Sequence, residues 1–378
     1  MLSRRTIKVI DKTFVLAVLG LLIFGLIILA SASRASTSDA LFYVKKQLIW
    51  VVVGIAMAVG MLNFDSTHLH RYSKLFYVAT LGILALTLIF GREVNGSQGW
   101  IRIAGINFQM AELAKVLIIL GFADFLNKRQ GQLDTFVEMI PCFIYIGVPI
   151  LLILAQPDLG TALVFIAIMF GMMFMAGANH RILLVLLISG ILFIVGVLYL
   201  HVAHGLPLPL KEYQIQRLTV FVDPYSDGQG GRGAGWNTIQ ALVAVGSGGL
   251  TGKGLFHGTQ AQLSFLPEQH TDFIFAVIGE ELGFAGAAVL LILYAAIIWR
   301  SIFISYNAKD FYSTLVGIGL ISMWMFHIFE NIGMSVGIMP ITGIPLPFIS
   351  YGGSSMLTNM IGVGLLLDIN LKGKKIVF

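Results

Sequence analysis

Between Thr13 and Ala30 the chain reads TFVLAVLGLLIFGLIILA, without one charged side chain. A helix needs about 20 mostly apolar residues to cross a bilayer. Comparable runs recur at roughly 44–62, 73–90, 109–126, 137–155, 159–176, 182–202, 271–298, 311–333 and 351–370. The pattern predicts an all-α, polytopic integral membrane protein with about ten transmembrane helices, a single domain over 1–378. Composition agrees: 57% of residues are hydrophobic and only 11% charged, against about 25% charged in a soluble domain. The fourth and sixth runs are the weakest. The fourth carries Glu112 and Lys115, and the sixth is short and starts at a Pro-Asp-Leu-Gly turn.

The first run needs one check. Arg4, Arg5 and Lys8 precede it, and Ala30-Ser31-Ala32 resembles a signal-peptidase site. The run exceeds the roughly 7–15 residues of a signal-peptide core, so a retained first helix is expected. The lone cysteine, Cys142, excludes an internal disulfide. The net charge of +5 does not point to nucleic acid, because the basic residues sit between apolar runs and form no stripe.

Lys and Arg set the expected orientation. With ten spans, both termini share a side, and that side holds fourteen Lys and Arg, from Arg4 to Lys375. The opposite short loops hold five: Arg34, Lys45, Lys46, Arg92 and Arg102. Cytoplasmic termini follow. The segments richest in unusual polar chemistry, 91–108, 156–158, 203–270 and 334–350, then fall outside. The segment 203–270, between helices 7 and 8, is too long for a mere connector and is expected to be a large extracytoplasmic loop.

That loop contains two glycine-rich runs, 227-DGQGGRGAG-235 and 246-GSGGLTGKG-254. Neither has the context of a dinucleotide or nucleotide phosphate loop. They are read as flexible loop, or as backbone N–H groups free to approach a phosphate or sugar. Glu112 and Lys115 stand three apart, on one helix face. A charge in the bilayer centre is unfavourable by about 2.5–3.5 kcal/mol on insertion scales. They therefore form a structural ion pair or line a polar substrate cavity. Asp158 sits where it could simply cap the sixth helix. His327 and Glu330, followed by Asn331, favour interhelical hydrogen bonding over a metal site, since two ligands do not make one. The run 340-PITGIPLPFISYGGSS-355 cannot be an ordinary helix. Irregular backbone at membrane depth must be buried in protein or line a wet cavity.

Asp272 is the last hydrophilic residue before Phe273-Ile274-Phe275-Ala276-Val277-Ile278. It could serve only to complement the helix dipole. It could also be a general base, a carboxylate at an apolar wall near cations that bind an anionic substrate. Arg102, Lys115, Arg217, Arg232 and Lys253 could supply those cations.

Four stretches resemble the SEDS family (shape, elongation, division and sporulation): 156-QPDLGTA-162; 213-YQIQRL-218 with 222-VDPYSD-227; 246-GSGGLTGKGLFHGTQAQLSFLPEQHTDFIFAVIGEELG-283; and 340-PITGIPLPFISYGGSS-355. The glycine-lysine-glutamine pattern of the third favours the elongation branch over the division branch. The resemblance covers nearly the whole chain. It implies a peptidoglycan glycosyltransferase of the bacterial cell membrane. The 4-hydroxyl of lipid II would attack the anomeric carbon of a lipid-linked strand, release undecaprenyl pyrophosphate and invert the linkage to β-1,4. It implies Asp272 as the catalytic carboxylate, with Glu112, Lys115, Asp158, Gln216 and Arg217 as important polar residues. A class B penicillin-binding protein is the implied partner. No resident cofactor is expected. A divalent cation, Mg or Mn, at the substrate pyrophosphate stays open, and too few carboxylates cluster to cage one. One departure concerns the family's Gln-Pro-Ser-Glu, which here reads Gln109-Met110-Ala111-Glu112 and puts the local backbone in question. The competing functions are a lipid II flippase, a solute or ion transporter, and a non-catalytic scaffold for the transpeptidase.

Overall fold

In the computed structural model, described at residues 10–34, 41–62, 66–94, 97–103, 105–204, 212–225, 227 and 229–373, the described residues form thirteen α-helices. Arg4, Arg5, Lys8, Lys211, Gly228, Lys374 and Lys375 lie outside the described residues. The helices are α1 (Lys12–Ala32), α2 (Phe42–Met61), α3 (Ser73–Phe90), α4 (Met110–Asn127), α5 (Phe136–Ala155), α6 (Leu159–Met175) and α7 (His180–His204). They continue with α8 (Glu212–Val222), α9 (Trp236–Ser247), α10 (Thr259–Gln262), α11 (Ile274–Tyr306), α12 (Phe311–Ser335) and α13 (Gly353–Gly373).

Among the described residues eight helical stretches are long and apolar enough to cross a membrane, so the chain is a multi-pass membrane protein. They include α1, α2, α3, α5, α7, α11, α12 and α13. The two weak spans read from sequence, α4 and α6, fall short by the same measures. α6 has 17 residues, and α4 carries Glu112, Lys115 and Asp124, all buried. Interior charge is what lets α4 be polar: its acidic and basic groups face protein rather than lipid. α4 packs between α3 and α12, α12 packs on α6, and α13 on α2.

α1 is a structural member of the bundle. Ser31 and Ala32 are fully buried, and Gln269 Nε2 donates to Ala32 O at 2.9 Å. At the other end Asp11 caps α1 by accepting from Phe14 N at 2.9 Å and accepts from Arg300 Nε of α11. α1 and α11 thus lie antiparallel along their length.

Two segments expected as loop have structure. Residues 92–109 form an antiparallel sheet, β1 (Arg92–Val94), β2 (Ser97–Ile103) and β3 (Ile106–Gln109), in the order β1-β2-β3. β3 feeds α4 directly. Gln109 is extended (φ −84°, ψ 105°) at the N-cap, so the start of α4 is intact despite the missing Pro-Ser. The segment 203–270 contains α8, α9 and α10, and α9 packs on α11.

The glycine-rich runs correct the sequence expectation. Asp227 accepts from the N–H groups of Gln229, Gly231, Gly233 and Gly235 at 2.8–3.2 Å. A nest of backbone donors does form, but the chain's own carboxylate fills it. Those donors, that of Gly231 first, hold the Asp227 pKa down at about 2. The second run is a strap across a helix break. Gly283 has φ 63° and ψ −158°, splitting α11. Lys253 N and Gly254 N donate to Glu280 O and Glu281 O, and Phe284 N and Ala285 N donate to Gly249 O and Leu250 O, all at 2.9–3.0 Å. The backbone groups orphaned by the break are met on both sides, as a water-poor setting requires.

Candidate active site

The segment 340–351 between α12 and α13 is irregular and buried in protein. Phe348 O and Ile349 lie so close to α1 that a Cβ on Gly25 would meet them at 2.8 and 3.0 Å. Tyr294 of α11 donates to Pro347 O at 2.6 Å. The irregular run therefore passes through the bundle, and its carbonyls need donors.

α12 meets the run from one polar turn, with donors for two of its carbonyls and an acceptor for one hydroxyl. His327 Nδ1 lies 3.1 Å from Pro345 O, Thr342 Oγ1 donates to Glu330 Oε1, and Asn331 Nδ2 donates to Ile344 O at 2.8 Å. The expected bonding between helices is present at His327, which reaches Lys115 of α4, whereas Glu330 and Asn331 bond the irregular segment that follows. Among the described residues no group of three or more His, Cys, Asp or Glu could hold a metal ion.

Lys115 Nζ lies 2.7 Å from Glu112 Oε1 and 3.0 Å from His327 Nε2. The ammonium can only donate, so Nε2 accepts and the imidazole proton sits on Nδ1, facing Pro345 O. Both members of the ion pair are buried. Asp158 caps α6 by accepting from Thr161 N at 2.9 Å and Thr161 Oγ1 at 2.8 Å, and it also accepts from Gln109 Nε2 at 3.3 Å. Two residues on, Gly160 touches the irregular run: a Cβ there would lie 3.0 Å from Ile344 Cγ1 and 3.1 Å from Thr342 O.

Asp272 meets the same run. A Cβ on Gly343 would fall 3.2 Å from Asp272 Oδ2. Asp272, an only partly exposed residue, ends a turn in which its N–H donates to Glu268 O at 3.0 Å, just before α11. Burial pushes its pKa up to about 6. Glu268 adds to the rise, while the Arg217 guanidinium and a Thr271 hydrogen bond oppose it. Such a group is ionised at neutral pH yet basic enough to accept a proton from a hydroxyl. Beside it His270, its pKa lowered by burial, packs on Tyr43, which in turn packs on Tyr351.

Residues 342–345 thus meet Asp272 at Gly343, Gly160 of α6 at Thr342 and Ile344, and His327 at Pro345; Asp158 lies two residues before Gly160, and Lys115 with its partner Glu112 reaches the run through His327. Arg217 is near enough to act on Asp272 through its charge, while Gln216 is exposed on α8. Arg102 is exposed on β2, opposite Asn107. Lys253 pairs with Glu280 at 2.7 Å and donates to Thr259 Oγ1, which ties it to the strap of α11. Sequence reasoning passed over Thr342, Gly343, Ser350 and Tyr351 as individuals. Their signal was a polar helix turn, His327 to Asn331, followed a few residues on by a Pro- and Gly-rich run that cannot pair its backbone within a helix.

Comparisons with known proteins converge on this architecture. A family model described as a cell cycle protein and spanning FtsW, RodA and SpoVE matches residues 12–375. Stage V sporulation protein E of Bacillus subtilis (strain 168) is 37% identical over 367 residues, covering 95% of this chain and 96% of its own. Peptidoglycan glycosyltransferase MrdB of Escherichia coli (strain K12) is 34% identical, covering 97% and 94%. Among solved structures, a chain from a peptidoglycan synthase complex that coordinates polymerization and crosslinking superposes with TM-score 0.80 at 28% identity, covering 97% of this chain and 99% of that one. Rod shape determining protein RodA of Thermus thermophilus superposes with TM-score 0.68 at 28% identity, covering 96% of each. The motifs, the fold and these matches agree: the chain belongs to the FtsW/RodA/SpoVE family of cell cycle proteins, the SEDS family.

Proposed function

We propose that the chain is a peptidoglycan glycosyltransferase that polymerises lipid II, with Asp272 as its general base. The observation that carries this is the Asp272 carboxyl, raised to about 6 and seated against Gly343 beside the charge of Arg217. The GlcNAc 4-hydroxyl of lipid II loses its proton to Asp272 and attacks the anomeric carbon of the lipid-linked strand. The bond to undecaprenyl pyrophosphate breaks, its electrons leave with the pyrophosphate, and the α linkage inverts to β-1,4. Arg217 offsets charge near the base, and Glu112, Lys115 and Asp158 frame the polar interior behind it. Gln216 on α8, Arg102 on the sheet and Lys253 on the strap are the further substrate contacts of this reading. Any Mg or Mn arrives on the substrate pyrophosphate.

In this reading the ten helices read from sequence all cross the membrane. The termini are cytoplasmic and Asp272 faces outward. The partner is a class B penicillin-binding protein, in line with the complex whose chain superposes. Elongation and rod shape rest on the 246–283 motif, because relatives named stage V sporulation protein E, FtsW and RodA match at similar identity. The test is lipid II polymerisation by the purified protein with its partner, wild type beside Asp272→Asn. A glycan ladder from wild type alone is expected. A ladder from both would reduce Asp272 to a helix-end carboxylate, and none from a folded wild-type complex would favour a lipid II flippase.

A further inference from the structure

Three consecutive carbonyls precede α11, and each receives a donor from outside its own turn. Tyr351 N donates to His270 O at 2.9 Å, Ser350 Oγ to Thr271 O at 2.6 Å, and Asn331 Nδ2 to Asp272 O at 2.8 Å. The α11 helix leaves Asp272 O unused, since Ala276 N bonds Phe273 O instead. The donors are themselves fixed. Ser350 Oγ accepts from Leu346 N at 2.8 Å, and Gln47 of α2 holds the turn by donating to Ser350 O and accepting from Gly352 N. Asn331 is fully buried and spans two elements, because the same amide also donates to Ile344 O at 2.8 Å.

We infer that Asn331 is the positioning residue of the Asp272 site. Its one carboxamide ties the base's own carbonyl to the segment whose Gly343 walls the base's carboxylate. One turn earlier on the same helix, His327 joins Pro345 O to Lys115 Nζ. The buried ion pair and the base are therefore held in register through one helix turn and one four-residue run. This rests on the polymerase reading of Asp272. A chain broken at both ends of a short helix has little intrinsic rigidity, so the register must come from side-chain bonds of this kind.

The experiment compares wild type, Asp272→Asn and Asn331→Ala, each purified with the partner transpeptidase, for kcat and KM with lipid II across pH. Asn331→Ala is expected to lower kcat roughly 10- to 100-fold, the scale of a displacement of about 1 Å at a reacting group. KM is expected to stay within about twofold, and the acid limb of the pH profile to move from the wild-type midpoint. A role in folding alone would reduce the yield of protein and leave that limb where it is. Should Asn331→Ala aggregate, Asn331→Ser keeps a polar side chain whose single hydroxyl proton cannot serve both Asp272 O and Ile344 O, and the same readouts apply. A folded variant with kcat within about threefold of wild type and an unmoved limb overturns the inference. An active Asp272→Asn defeats the underlying base assignment instead, and the two failures are told apart by that variant.

Discussion

Gly343 and Gly337 share the same left-handed backbone, φ +76° at both. Alanine in that conformation is disfavoured by about 1–2 kcal/mol, so Gly343→Ala and Gly337→Ala should lose similar stability. Their surroundings differ in one respect that matters. The three atoms nearest a methyl at 337 all belong to the Leu242 side chain, the first 3.2 Å away. A methyl at 343 meets only Asp272, 3.2 Å from Oδ2 and 3.9 Å from Cγ. It would occupy the space through which a hydroxyl approaches that oxygen, and it would desolvate the carboxylate further. A base is active when ionised, so activity falls as pH drops through its pKa, near 6 in the wild type. Added desolvation moves that limb upward, and one unit corresponds to 1.36 kcal/mol, a minor loss at neutral pH. Displacement of the reacting atoms dominates, at about 10²-fold. Gly343→Ala is expected to lose roughly 10²-fold in polymerisation and Gly337→Ala less than about threefold, at matched falls in Tm. Polymerisation of labelled lipid II from pH 5 to 8, beside thermal unfolding of both variants, reads this directly. Equal activity losses in the two variants, or an acid limb in Gly343→Ala at or below the wild-type position, would refute the placement of Asp272 as base.

Lys115→Met leaves the Glu112 carboxylate buried and uncompensated, and breaking a buried pair this way is destabilising by about 3–5 kcal/mol. Glu112→Leu combined with Lys115→Met should recover most of that loss in Tm without recovering polymerisation; a double variant as unstable as the single one would show that the pair is not the source of the loss. Gly252→Ala puts a Cβ 2.1 Å from Glu281 O at a residue with φ +76°. It should lift the strap from the α11 break, lower Tm, and speed hydrogen exchange at Phe284 and Ala285; unchanged exchange there would mean that the strap is not what satisfies the break.

The apolar runs made the helices legible because every residue of a lipid-facing helix must be apolar or be hidden. The same rule explains the two weakest spans. α4 reads as doubtful because it is interior and can carry charge, and α6 because Asp158 caps it early. Asp272 was visible as a carboxylate stranded at an apolar boundary, and Glu112–Lys115 as a pair by spacing alone. The glycine runs were misleading. Composition shows where backbone can approach something closely, and not whether that something is a phosphate, the chain's own Asp227 or a broken helix. Lys253 was drawn toward an anionic ligand by its charge, while the fold pairs it with Glu280, a residue 27 positions away that no local pattern could match to it. The contacts of Asn331, Ser350 and Tyr351 are long-range for the same reason.

The short helix segment between Asp272 and the Gly283 break has its end conditions supplied by other parts of the chain. Before it, Tyr351, Ser350 and Asn331 hold the carbonyls of residues 270–272. After it, residues 249–254 hold both the carbonyls that precede the break and the amides that follow it. Along its side, Glu280 takes Lys253 and Gln260 N, and Glu281 takes Ser31 Oγ and Gly258 N. An unbroken α11 would carry Asp272 at the end of one long lever, and any tilt of that lever would move the carboxylate. Breaking the helix at Gly283 and strapping the break gives the base a short mount fixed by α1, α9, α12 and the 340–351 run. The rest of α11, from Phe284 to Tyr306, keeps an exposed apolar face that includes Phe284, Ile292 and Trp299. The helix thus meets the membrane with one half and anchors the site with the other. Glycine at 283 is required because only a residue free to take φ 63° can join the two halves.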